Sequence, residues 1–452
     1  MLKEFLEDIK EKNIAILAFQ KEGKSTLKYI RKYLKDKKIT ILDKNEKLVD
    51  DEIIKNDKNL DYVFGSDYLK DIDKFDLIIK SPGVSLSPNI LSKLNGKIKT
   101  ETDIALDYLS KNIIGITGSK GKSTTTSLIY KILKDQNIDC YLCGNIGIPI
   151  FDVVDNVKNS TYLVVEMSAY QTEFLRKSPY ISILLNLYEE HLDYFHTKDK
   201  YFNSKLNIAR FQDEDDYFIC LKNETIDNLL KDVKLKSHVY KVLDKDNKNS
   251  SYIDGDNIII DNEKVCKTDI ERKIIGEHNL YNIMFALTIS KILSLDISKV
   301  LKSIKEFTPL EHRLEYIGTY NNIIFYNDSI STIPEALMNA VKTLKNVDTL
   351  IFGGYDRGID YESLIKFLNE SYINNFICLP TTAHRLGKEL ENKNVFFVDN
   401  MEDAVNESFN CTENGKICLL SPAAASYNMY KNFEERGKDF KNKVKSYKKI
   451  NN

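Results

Sequence analysis

The stretch 113–127 constrains the fold more than any other part of the chain. An apolar run ends in a glycine-rich turn, and Lys122 and several hydroxyl residues then open an amphipathic segment. This order of strand, turn and helix N-terminus is typical of a loop whose backbone N–H groups bind phosphate, with Lys122 as a positive charge and Ser123 in reach of a phosphate-bound Mg²⁺. The strict spacing requires a glycine where the chain has Ile116, so the loop is a shorter Thr-Gly-x-x-Gly-Lys-Ser form. A plain glycine-rich surface turn is the alternative.

Composition sets the broad class of the protein. With 452 residues the chain predicts about three domains. The net charge of −2, with both signs interspersed, indicates neither a nucleic-acid nor a membrane partner. No apolar run approaches the roughly 20 residues that span a bilayer, and the acidic N-terminus is unlike a signal peptide. Seven cysteines favour reduced thiols and a cytoplasmic location. Cys140 and Cys143 have the spacing of a redox or metal pair, but the alternative is that they are two small apolar residues beside a strand. The chain is expected to be a monomer.

The N-terminal region, 1–108, alternates strand and helix patterns. Strands are predicted at Ile14–Phe19, Ile39–Leu42 and Leu77–Lys80, with a helix at Ser25–Leu34. This βαβ order predicts a Rossmann-like domain with a parallel sheet.

Two further α/β domains are predicted, so the fold class is α/β throughout. The central domain, 109–308, is a P-loop ATPase-type parallel sheet with strands at Tyr162–Glu166 and Ile181–Asn186. Its segment 212–270 has short β-type runs, including Tyr217–Leu221, which predict a small antiparallel patch. The C-terminal domain, 309–452, repeats strands and helices and is predicted to be Rossmann-like, with a charged helix from Phe433.

Polar residues follow several of the predicted strands. Glu166 ends a buried-type strand beside the phosphate loop, where a Mg²⁺-binding acid belongs, because open α/β sheets bind ligands at the carboxyl ends of their strands. Ser168 and Gln171 follow at the same edge. His191 follows the next strand, which favours a ligand or phosphate role over a structural one. Asp43, at the tip of a first-domain strand, stands where a ribose-binding acid is expected, although an exposed turn acid is the alternative.

Other polar residues have weaker patterns. Asn279 and Asn282 lie three apart at a helix start and share one face, which suits a purine edge or an acidic group, with a helix cap as the alternative. Arg313 at a domain junction suits a phosphate clamp, or is a surface residue. Asp328 follows a strand and suits ribose hydroxyls. Lys205 alone indicates only a solvated helix lysine.

Seven motifs occur in a fixed order. They are Thr117-Gly-Ser-Lys-Gly-Lys-Ser123, Glu166-Met-Ser-Ala-Tyr-Gln171, Asn186 to His191, Gly276-Glu-His-Asn279, His312-Arg313, Asn327-Asp328-Ser329 and Ser421-Pro-Ala-Ala-Ala-Ser426. Together they resemble the Mur ligases of peptidoglycan synthesis, and the stretch Ser421 to Gly437 is most like the members that add glutamate.

The resemblance implies an ATP-dependent amide ligase that joins glutamate, in its D form, to UDP-N-acetylmuramoyl-L-alanine through an acyl phosphate. It implies that the first domain holds UDP, the central domain holds ATP and the third closes over both. It also implies two Mg²⁺ ions, and Lys205 as a carbamylated lysine. A ligase for L-glutamate or another amino acid, or a folylpolyglutamate-type ligase, is the alternative.

Site residues follow from the same resemblance. The catalytic residues are Lys122, Glu166, His191 and Lys205. The metal ligands are Ser123, Glu166, His191 and carbamylated Lys205. The ATP contacts are Gly118, Ser119, Lys120, Gly121, Lys122, Ser123, Thr124, Asn279, Asn282, Arg313 and Asp328. The UDP-substrate contacts are Lys21, Glu22, Asp43, Ser81, Pro82, Gly83, Asn145, Ser168 and Gln171.

The departures from the family pattern concern the amino acid. Ile330 replaces a family lysine, and Arg357 replaces another while keeping a cation with bidentate geometry for a carboxylate. Thr332, Ser426 and Phe433 are the other residues implied for the amino-acid pocket. The sequence leaves open which enantiomer of glutamate is used.

Overall fold

The computed structural model describes residues 2–84, 86–94, 96–247, 249–308 and 311–447. Its contacts define two compact units. Unit 1 runs up to Lys273 and includes Glu277–Phe307, while unit 2 contains Ile274–Gly276 and continues from Thr308. Three sheets with helices between their strands confirm the predicted α/β class. The domain boundaries at residues 108 and 308 stay predictions.

The first sheet of unit 1 is parallel throughout the part of the chain described. Its elements are α1 (Lys3–Asp8), β1 (Ile14–Leu17), α2 (Lys21–Tyr33), β2 (Ile39–Asp43), α3 (Glu52–Asn56), β3 (Leu60–Phe64), β4 (Leu77–Lys80), α4 (Pro88–Lys93), β5 (Ile98–Lys99) and α5 (Glu101–Leu109). The strand order β3-β2-β1-β4-β5 puts the fully buried β1 in the centre, as its apolar sequence requires. Helix α2 begins four residues before the predicted start. It packs so closely on the end of β1 that a Cβ at Gly23 would lie 2.5 Å from the carbonyl oxygen of Ala18.

The second sheet of unit 1 carries the phosphate loop. Its elements are β6 (Ile113–Thr117), α6 (Lys122–Asp135), β7 (Cys140–Gly144), β8 (Tyr162–Glu166), α7 (Ala169–Thr172), β9 (Ile181–Leu184), α8 (Leu192–Phe195), α9 (Lys198–Arg210), β10 (Tyr217–Leu221), α10 (Glu224–Leu230), β11 (His238–Val242), β12 (Ser250–Asp254), β13 (Asn257–Ile260), β14 (Glu263–Lys267), α11 (Glu277–Ile292) and α12 (Ile297–Glu306). The strand order is β14-β13-β12-β11-β10-β9-β6-β8-β7.

The predicted antiparallel patch is smaller than expected. Strands β12, β13 and β14 pair antiparallel, but β10 pairs parallel with both β9 and β11. The prediction for Tyr217–Leu221 was therefore wrong. Helices α8 and α9 lie between β9 and β10 in the sequence, and helix α10 lies between β10 and β11. A connection through a helix crosses over the sheet, so the strands that it joins pair in parallel.

Unit 2 contains the third sheet. Its elements are β15 (Glu315–Tyr320), β16 (Ile323–Asn327), α13 (Pro334–Thr343), β17 (Val347–Phe352), α14 (Glu362–Glu370), β18 (Asn375–Cys378), α15 (Thr382–Leu386), β19 (Asn394–Phe397), α16 (Met401–Cys411), β20 (Ile417–Leu420) and α17 (Phe433–Ser446). The order is β15-β16-β20-β17-β18-β19, and only β15 runs antiparallel among the described strands. The predicted C-terminal helix is α17.

Helix α2 joins the two sheets of unit 1. The Lys21 Nζ donates to the carbonyl oxygen of Gly147 at 2.7 Å, and the Ser25 hydroxyl donates to Asp152 at 3.0 Å. Phe151 also packs into the apolar core of the first sheet. These polar and apolar contacts explain why both sheets belong to one compact unit.

The two closely spaced cysteines lie on one strand of the second sheet. Cys140 and Cys143 both lie buried in β7, and burial raises the pKa of their thiols to about 11 and about 12. Among the described residues, no helix combines the length and apolar character needed to cross a bilayer.

Candidate nucleotide and metal site

The phosphate loop joins β6 to α6 through two glycines in left-handed conformations. Gly118 has φ of 149° and Gly121 has φ of 84°. A Cβ at Gly118 would lie 2.9 Å from the Leu185 side chain, and one at Gly121 would lie 2.6 Å from Asn282 Oδ1. Both positions therefore require glycine for backbone and for space. The residues Lys122, Ser123 and Thr124 form the first turn of α6, so the N-terminus of a helix, where backbone N–H groups point along the axis, lies at the loop.

Asn186, just beyond β9, fixes the loop in place. Its Oδ1 accepts from the Lys120 N–H at 2.7 Å, its Nδ2 donates to the Lys120 carbonyl at 2.9 Å, and its own carbonyl accepts from the Ser119 N–H at 2.9 Å. The Lys120 ammonium is paired with the Glu190 carboxylate. Sequence analysis included Asn186 only as part of a motif, although an amide at a strand end beside the loop is the pattern that identifies it.

Lys122 and Lys205 converge on one backbone oxygen. Each Nζ donates to the Gly118 carbonyl at 2.9 Å, and Lys122 also donates to the Ser119 carbonyl at 2.9 Å. Lys205 is 1% exposed. Burial, reinforced by the nearby Lys122 charge, holds the pKa of Lys205 well below its ordinary value, and the charges of Glu190 and Glu166 oppose this shift. The sequence pattern alone indicated a solvated lysine, whereas the structure brings it to the phosphate loop.

Glu166 ends β8 beside the end of β6, as predicted. It is 1% exposed, and its Oε1 accepts from Asn145 Nδ2 at 2.9 Å, while Oε2 is buried with no hydrogen-bond partner. A buried carboxylate oxygen without a donor costs free energy that a cation offsets. Mg²⁺ prefers oxygen ligands and binds through one or two carboxylates together with substrate phosphates. Glu166 and the Ser123 hydroxyl at the start of α6 therefore fit a magnesium ion.

His191 lies after β9 and shares a neighbour with Lys205. Its ring centroid lies 5.9 Å from that of Tyr201, and the Lys205 Nζ lies 4.8 Å from the same Tyr201 ring. His191 Nδ1 lies 3.0 Å from the Tyr170 hydroxyl. The structure thus brings two of the predicted metal ligands to one aromatic side chain, and Tyr201 and Tyr170 are site residues that sequence reasoning missed.

Asn279 and Asn282 form a hydrogen-bonded pair next to the loop. Asn282 Nδ2 donates to Asn279 Oδ1 at 3.0 Å. Asn282 is buried and borders the position where Gly121 has no side chain. The pair on α11 therefore lies beside the second glycine of the phosphate loop.

The predicted uridine-nucleotide residues lie at the carboxyl edge of the first sheet. Asp43 ends β2, and its carboxylate accepts from the N–H groups of Phe19 at 2.8 Å and Asn45 at 2.9 Å. The Ser81 hydroxyl, after β4, donates to the Ala18 carbonyl at 2.9 Å. Asp43 thus holds the turn after β1 in shape, a structural role beside the predicted ribose contact. Pro82 and Gly83 continue the same loop, and Gly83 is exposed.

A polar chain connects this edge to the second sheet. Gln171 Nε2 donates to Glu22 Oε1 at 3.2 Å. Burial raises the pKa of Glu22 to about 7, and the nearby Lys80 charge opposes this shift. The Lys80 Nζ donates to the carbonyl of Pro82 at 2.8 Å, and burial lowers the pKa of Lys80 to about 8. Lys80 was missed, because a lysine that ends an apolar strand gives no pattern of its own. The Gln171 Oε1 also accepts from the Ser168 N–H at 2.9 Å.

In unit 2, Asp328 lies at the carboxyl edge of the third sheet. Its carboxylate accepts from the Ser421 hydroxyl at 2.9 Å and from the Leu314 N–H at 3.1 Å. Burial raises the pKa of Asp328 to about 6, and these hydrogen bonds and the charge of Arg313 oppose the shift. Arg313 and Asp328 are therefore close enough to interact, as their motif order suggests.

The predicted amino-acid residues lie on adjacent loops of unit 2. Arg357 Nη2 donates to the Thr332 carbonyl at 2.9 Å. Ser426 is buried on the loop after β20, and Phe433 begins α17. Ile330 lies two residues before Thr332, on the same loop. The predicted amino-acid residues therefore lie on neighbouring loops, as a common binding pocket requires.

Arg436, which sequence reasoning did not select, fixes these loops together. It is 1% exposed. Its Nη1 donates to the carbonyls of Ala424 at 3.1 Å and Ala425 at 3.2 Å, and its Nη2 donates to the Ser329 carbonyl at 2.9 Å. Burial lowers the pKa of Arg436 to about 10. The sequence signal that could have identified Arg436 is its position within the motif-bearing stretch Ser421 to Gly437.

Comparison with known families gives the same order of parts. The model of the Mur ligase middle domain matches residues 116–290, and the model of the Mur ligase glutamate ligase domain matches residues 312–424. The chain belongs to the Mur ligase family. This Mur ligase is 34% identical to UDP-N-acetylmuramoylalanine–D-glutamate ligase of Clostridioides difficile, with 98% of this chain and 100% of the relative covered.

Solved structures resemble this Mur ligase over nearly its whole length. UDP-N-acetylmuramate-alanine ligase of Thermotoga maritima has a TM-score of 0.59 at 17% identity and covers 97% of this chain and 100% of its own. MurF ligase of the same organism, solved with ADP, has a TM-score of 0.59 at 15% identity and covers 97% and 96%. At these identities the likeness shows the shared fold.

Proposed function

We propose that this chain is an ATP-dependent ligase that joins D-glutamate to UDP-N-acetylmuramoyl-L-alanine in peptidoglycan precursor synthesis. The observation that carries the proposal is the full-length match to the Clostridioides difficile ligase whose name states this acceptor and this amino acid. The phosphate loop with its two glycines, Lys122 and Glu166 supports ATP as the energy source. A cytoplasmic monomer is part of the proposal, as are the three domains with boundaries at residues 108 and 308.

The chemistry explains why such a loop is needed. The alanyl carboxylate is unreactive toward an amine until its oxygen attacks the γ-phosphorus of ATP, which forms an acyl phosphate and releases ADP. The glutamate amine then attacks the acyl carbon, and inorganic phosphate leaves as the amide forms. Both groups in the first step are anions, so catalysis depends on positive charge and N–H donors placed around the transferred phosphoryl group. We assign this task to Lys122 and to the start of α6, and their position at the phosphate loop supports the assignment.

Ser123 and Glu166 are proposed to hold one Mg²⁺, and His191 and Lys205 a second. When bound, Mg²⁺ neutralises charge on the phosphate oxygens. The unpartnered Oε2 of Glu166 supports the first assignment.

Lys205 is proposed to act as a carbamate. Its neutral amine nitrogen would attack the carbon of CO₂ to form an N–C bond and lose one proton, which leaves an anionic carbamate as an oxygen ligand. This reaction requires the neutral amine, and the low pKa of the buried Lys205 beside Lys122 favours that form. The same low pKa makes a permanent ammonium at this position costly, which supports a modified lysine.

The remaining assignments are proposed as the resemblance implied them. Nucleotide-sugar contacts are proposed for Lys21, Glu22, Asp43, Ser81, Pro82, Gly83, Asn145, Ser168 and Gln171, ATP contacts for Gly118 to Thr124, Asn279, Asn282, Arg313 and Asp328, and amino-acid contacts for Thr332, Arg357, Ser426 and Phe433. What supports them is convergence within each unit at the carboxyl edges of the three sheets.

The test is an amino-acid panel with purified chain, ATP, Mg²⁺ and UDP-N-acetylmuramoyl-L-alanine, with phosphate release and the amide product both measured. D-glutamate is expected to give product that requires every component, and Lys122→Ala is the matched inactive control. Product with L-glutamate instead would indicate altered stereoselectivity, which we would attribute to Ile330 in place of the family lysine. ATP hydrolysis that neither the nucleotide sugar nor any amino acid changes would refute the ligase assignment, and product from a folate acceptor would favour the sister activity.

A further inference from the structure

Lys80 is a buried cation at the end of β4. It is 1% exposed, and its Nζ donates to the carbonyl of Pro82 at 2.8 Å and to that of Ser81 at 3.4 Å. An ammonium inside a protein loses its hydration, and an apolar side chain of similar size would fill the same space at lower cost. The hydrogen bonds that the ammonium donates are therefore what an apolar side chain could not supply here.

Acids on three other segments favour the charged form of Lys80. Burial lowers the pKa of Lys80 to about 8, while the charges of Glu173, Glu22 and Asp103 oppose the shift. These acids lie directly after α7, on α2 and on α5. At neutral pH the side chain is therefore protonated, and an ammonium has three N–H groups to donate.

The ammonium holds the middle of the loop that follows β4. The first residue of this loop is tied to the end of β1, because the Ser81 N–H donates to the Leu17 carbonyl at 2.9 Å. Pro82 has no N–H of its own, and its carbonyl accepts from Lys80. Removal of the ammonium takes this donor from both carbonyls, so the loop beyond Ser81 would be held less firmly.

Lys80 also faces the second sheet. Its Nζ lies 5.6 Å from the centroid of the Phe174 ring, within the range of a cation–π interaction. Phe174 comes two residues after α7, which contains Gln171 and has Ser168 as its N-cap. Lys80 therefore lies between two groups of residues that we assign to the nucleotide sugar: the loop 81–83 and the segment at α7.

We propose that Lys80 is a positioning residue for the nucleotide-sugar substrate, an inference that rests on the proposed function. Its ammonium fixes the loop 81–83 and, through the Phe174 ring, keeps that loop at a set distance from Ser168 and Gln171. The loop and α7 belong to different sheets, so a residue between them determines whether both can contact one substrate together. This role does not require Lys80 to touch the substrate.

The first test measures the loop without any ligand. Lys80→Met keeps the length of the side chain but removes the ammonium, and hydrogen exchange with mass spectrometry follows the peptide that covers 81–84. We expect this peptide to exchange about 10-fold faster in the variant, because a hydrogen bond from a charged donor is lost. Peptides from β6 should exchange as in wild type. Lys80→Gln, whose side chain is one bond shorter and uncharged, carries the same expectation and replaces Lys80→Met if that variant does not fold.

Two results of this test would overturn the inference. One is equal exchange of the loop in wild type and variant. The other is equally faster exchange in β6, which would show a general loss of stability in place of a local role.

Lys37→Met is the matched control. Lys37 Nζ also donates to two backbone carbonyls, those of Lys10 at 2.5 Å and Lys12 at 2.6 Å. These contacts lie at the opposite edge of the first sheet, before β1 and β2. The control therefore removes the same kind of contact away from the loop, and exchange of 81–84 should match wild type.

The second test measures binding of the nucleotide sugar without turnover. UDP-N-acetylmuramoyl-L-alanine is titrated by isothermal calorimetry in the absence of ATP. Lys80→Met is expected to raise Kd about 10-fold, which corresponds to about 1.4 kcal/mol. The Kd of Lys37→Met for the same ligand, and that of Lys80→Met for a non-hydrolysable ATP analogue, should match wild type.

The outcomes separate this inference from the proposed function. If wild type binds the nucleotide sugar and Lys80→Met binds it equally well, the positioning role is refuted and the ligase assignment stands. If wild type does not bind the nucleotide sugar, the proposed function is refuted along with the substrate that Lys80 is said to position. Hydrogen exchange would then decide by itself whether Lys80 holds the loop.

Discussion

Arg436→Met tests whether a single buried guanidinium holds the loops of the amino-acid pocket. Arg436 donates to the hydroxyl and carbonyl of Ser329 and to the carbonyls of Ala424 and Ala425, so it joins the loop after β16 to the loop after β20. Methionine keeps much of the apolar stem but provides no donors. The substitution therefore removes the hydrogen bonds more than the packing.

The magnitude follows from which acceptors lose their donor. The Ala425 carbonyl keeps the Tyr355 N–H at 2.8 Å, whereas the carbonyls of Ser329 and Ala424 lose a buried donor. A buried acceptor without a partner costs about 1–3 kcal/mol, which gives about 2–6 kcal/mol for two. The burial cost of the cation, visible in the lowered pKa of Arg436, is relieved in the variant and offsets part of this loss. We expect unit 2 to lose about 2–4 kcal/mol of unfolding free energy.

Calorimetry is the suitable assay because the chain has no tryptophan to report unfolding by fluorescence. For a unit of this size, each kcal/mol lowers Tm by about 2–4 °C, so a fall of roughly 4–16 °C is expected. The KM for glutamate should rise as well, because Ser426 and Phe433 lie on the segments that Arg436 fixes.

Arg385→Met is the matched control for this experiment. Arg385 is 52% exposed in its side chain and pairs with Asp356 at 3.0 Å. Exposed ion pairs contribute about 0–1 kcal/mol, so Tm should change by at most a few degrees. If Arg436→Met melts like the control and keeps the KM for glutamate, the reasoning from buried acceptors is wrong.

Four further predictions concern unit 1. Lys122→Ala should lower kcat by about 100-fold or more, since removal of one transition-state donor typically costs that much, and phosphate release measures it. Glu166→Gln should raise the Mg²⁺ concentration for half-maximal activity about 10-fold, and an unchanged Mg²⁺ curve would contradict its role as a ligand. Lys205→Ala should be inactive, with partial recovery when short carboxylic acids are added, and an absence of rescue would count against the carbamate. Because burial raises the pKa of Glu22 from 4.5 to about 7, the folded chain binds more protons than the unfolded chain between these values, so stability falls as pH rises through this window. Glu22→Gln should flatten that fall, by at most about 3 kcal/mol in urea unfolding at pH 5 and pH 7.5, whereas parallel profiles for variant and wild type would refute it.

The parts of the fold that local pattern determines were predictable. The phosphate loop, the strand Tyr162–Glu166 and the strand Leu77–Lys80 lie where the sequence indicated them. Each combines an apolar run with a defined turn, and these two features act over a few residues. The pairing direction of β10 was wrong because it depends on partners that lie distant in sequence.

The site was predictable where a motif carries it and not where burial creates it. Lys122 and Glu166 followed from spacing and strand ends. Lys80 and Arg436 are cations inside the protein, and sequence patterns assign cations to the surface because buried ones are rare. Tyr170 looked like an ordinary aromatic residue, since its contact with His191 exists only after α7 and α8 pack together.

The Asn186 contacts determine when the phosphate loop loses its conformational freedom. The oxygen and the nitrogen of the Asn186 amide both bind the Lys120 backbone, so the loop loses its conformational entropy when the chain folds. Nucleotide binding then does not have to offset that entropy loss. Affinity for the nucleotide is then coupled to the local stability of β9. Because β9 is a fully buried strand between β10 and β6, the preformed loop shares the stability of the middle of its sheet.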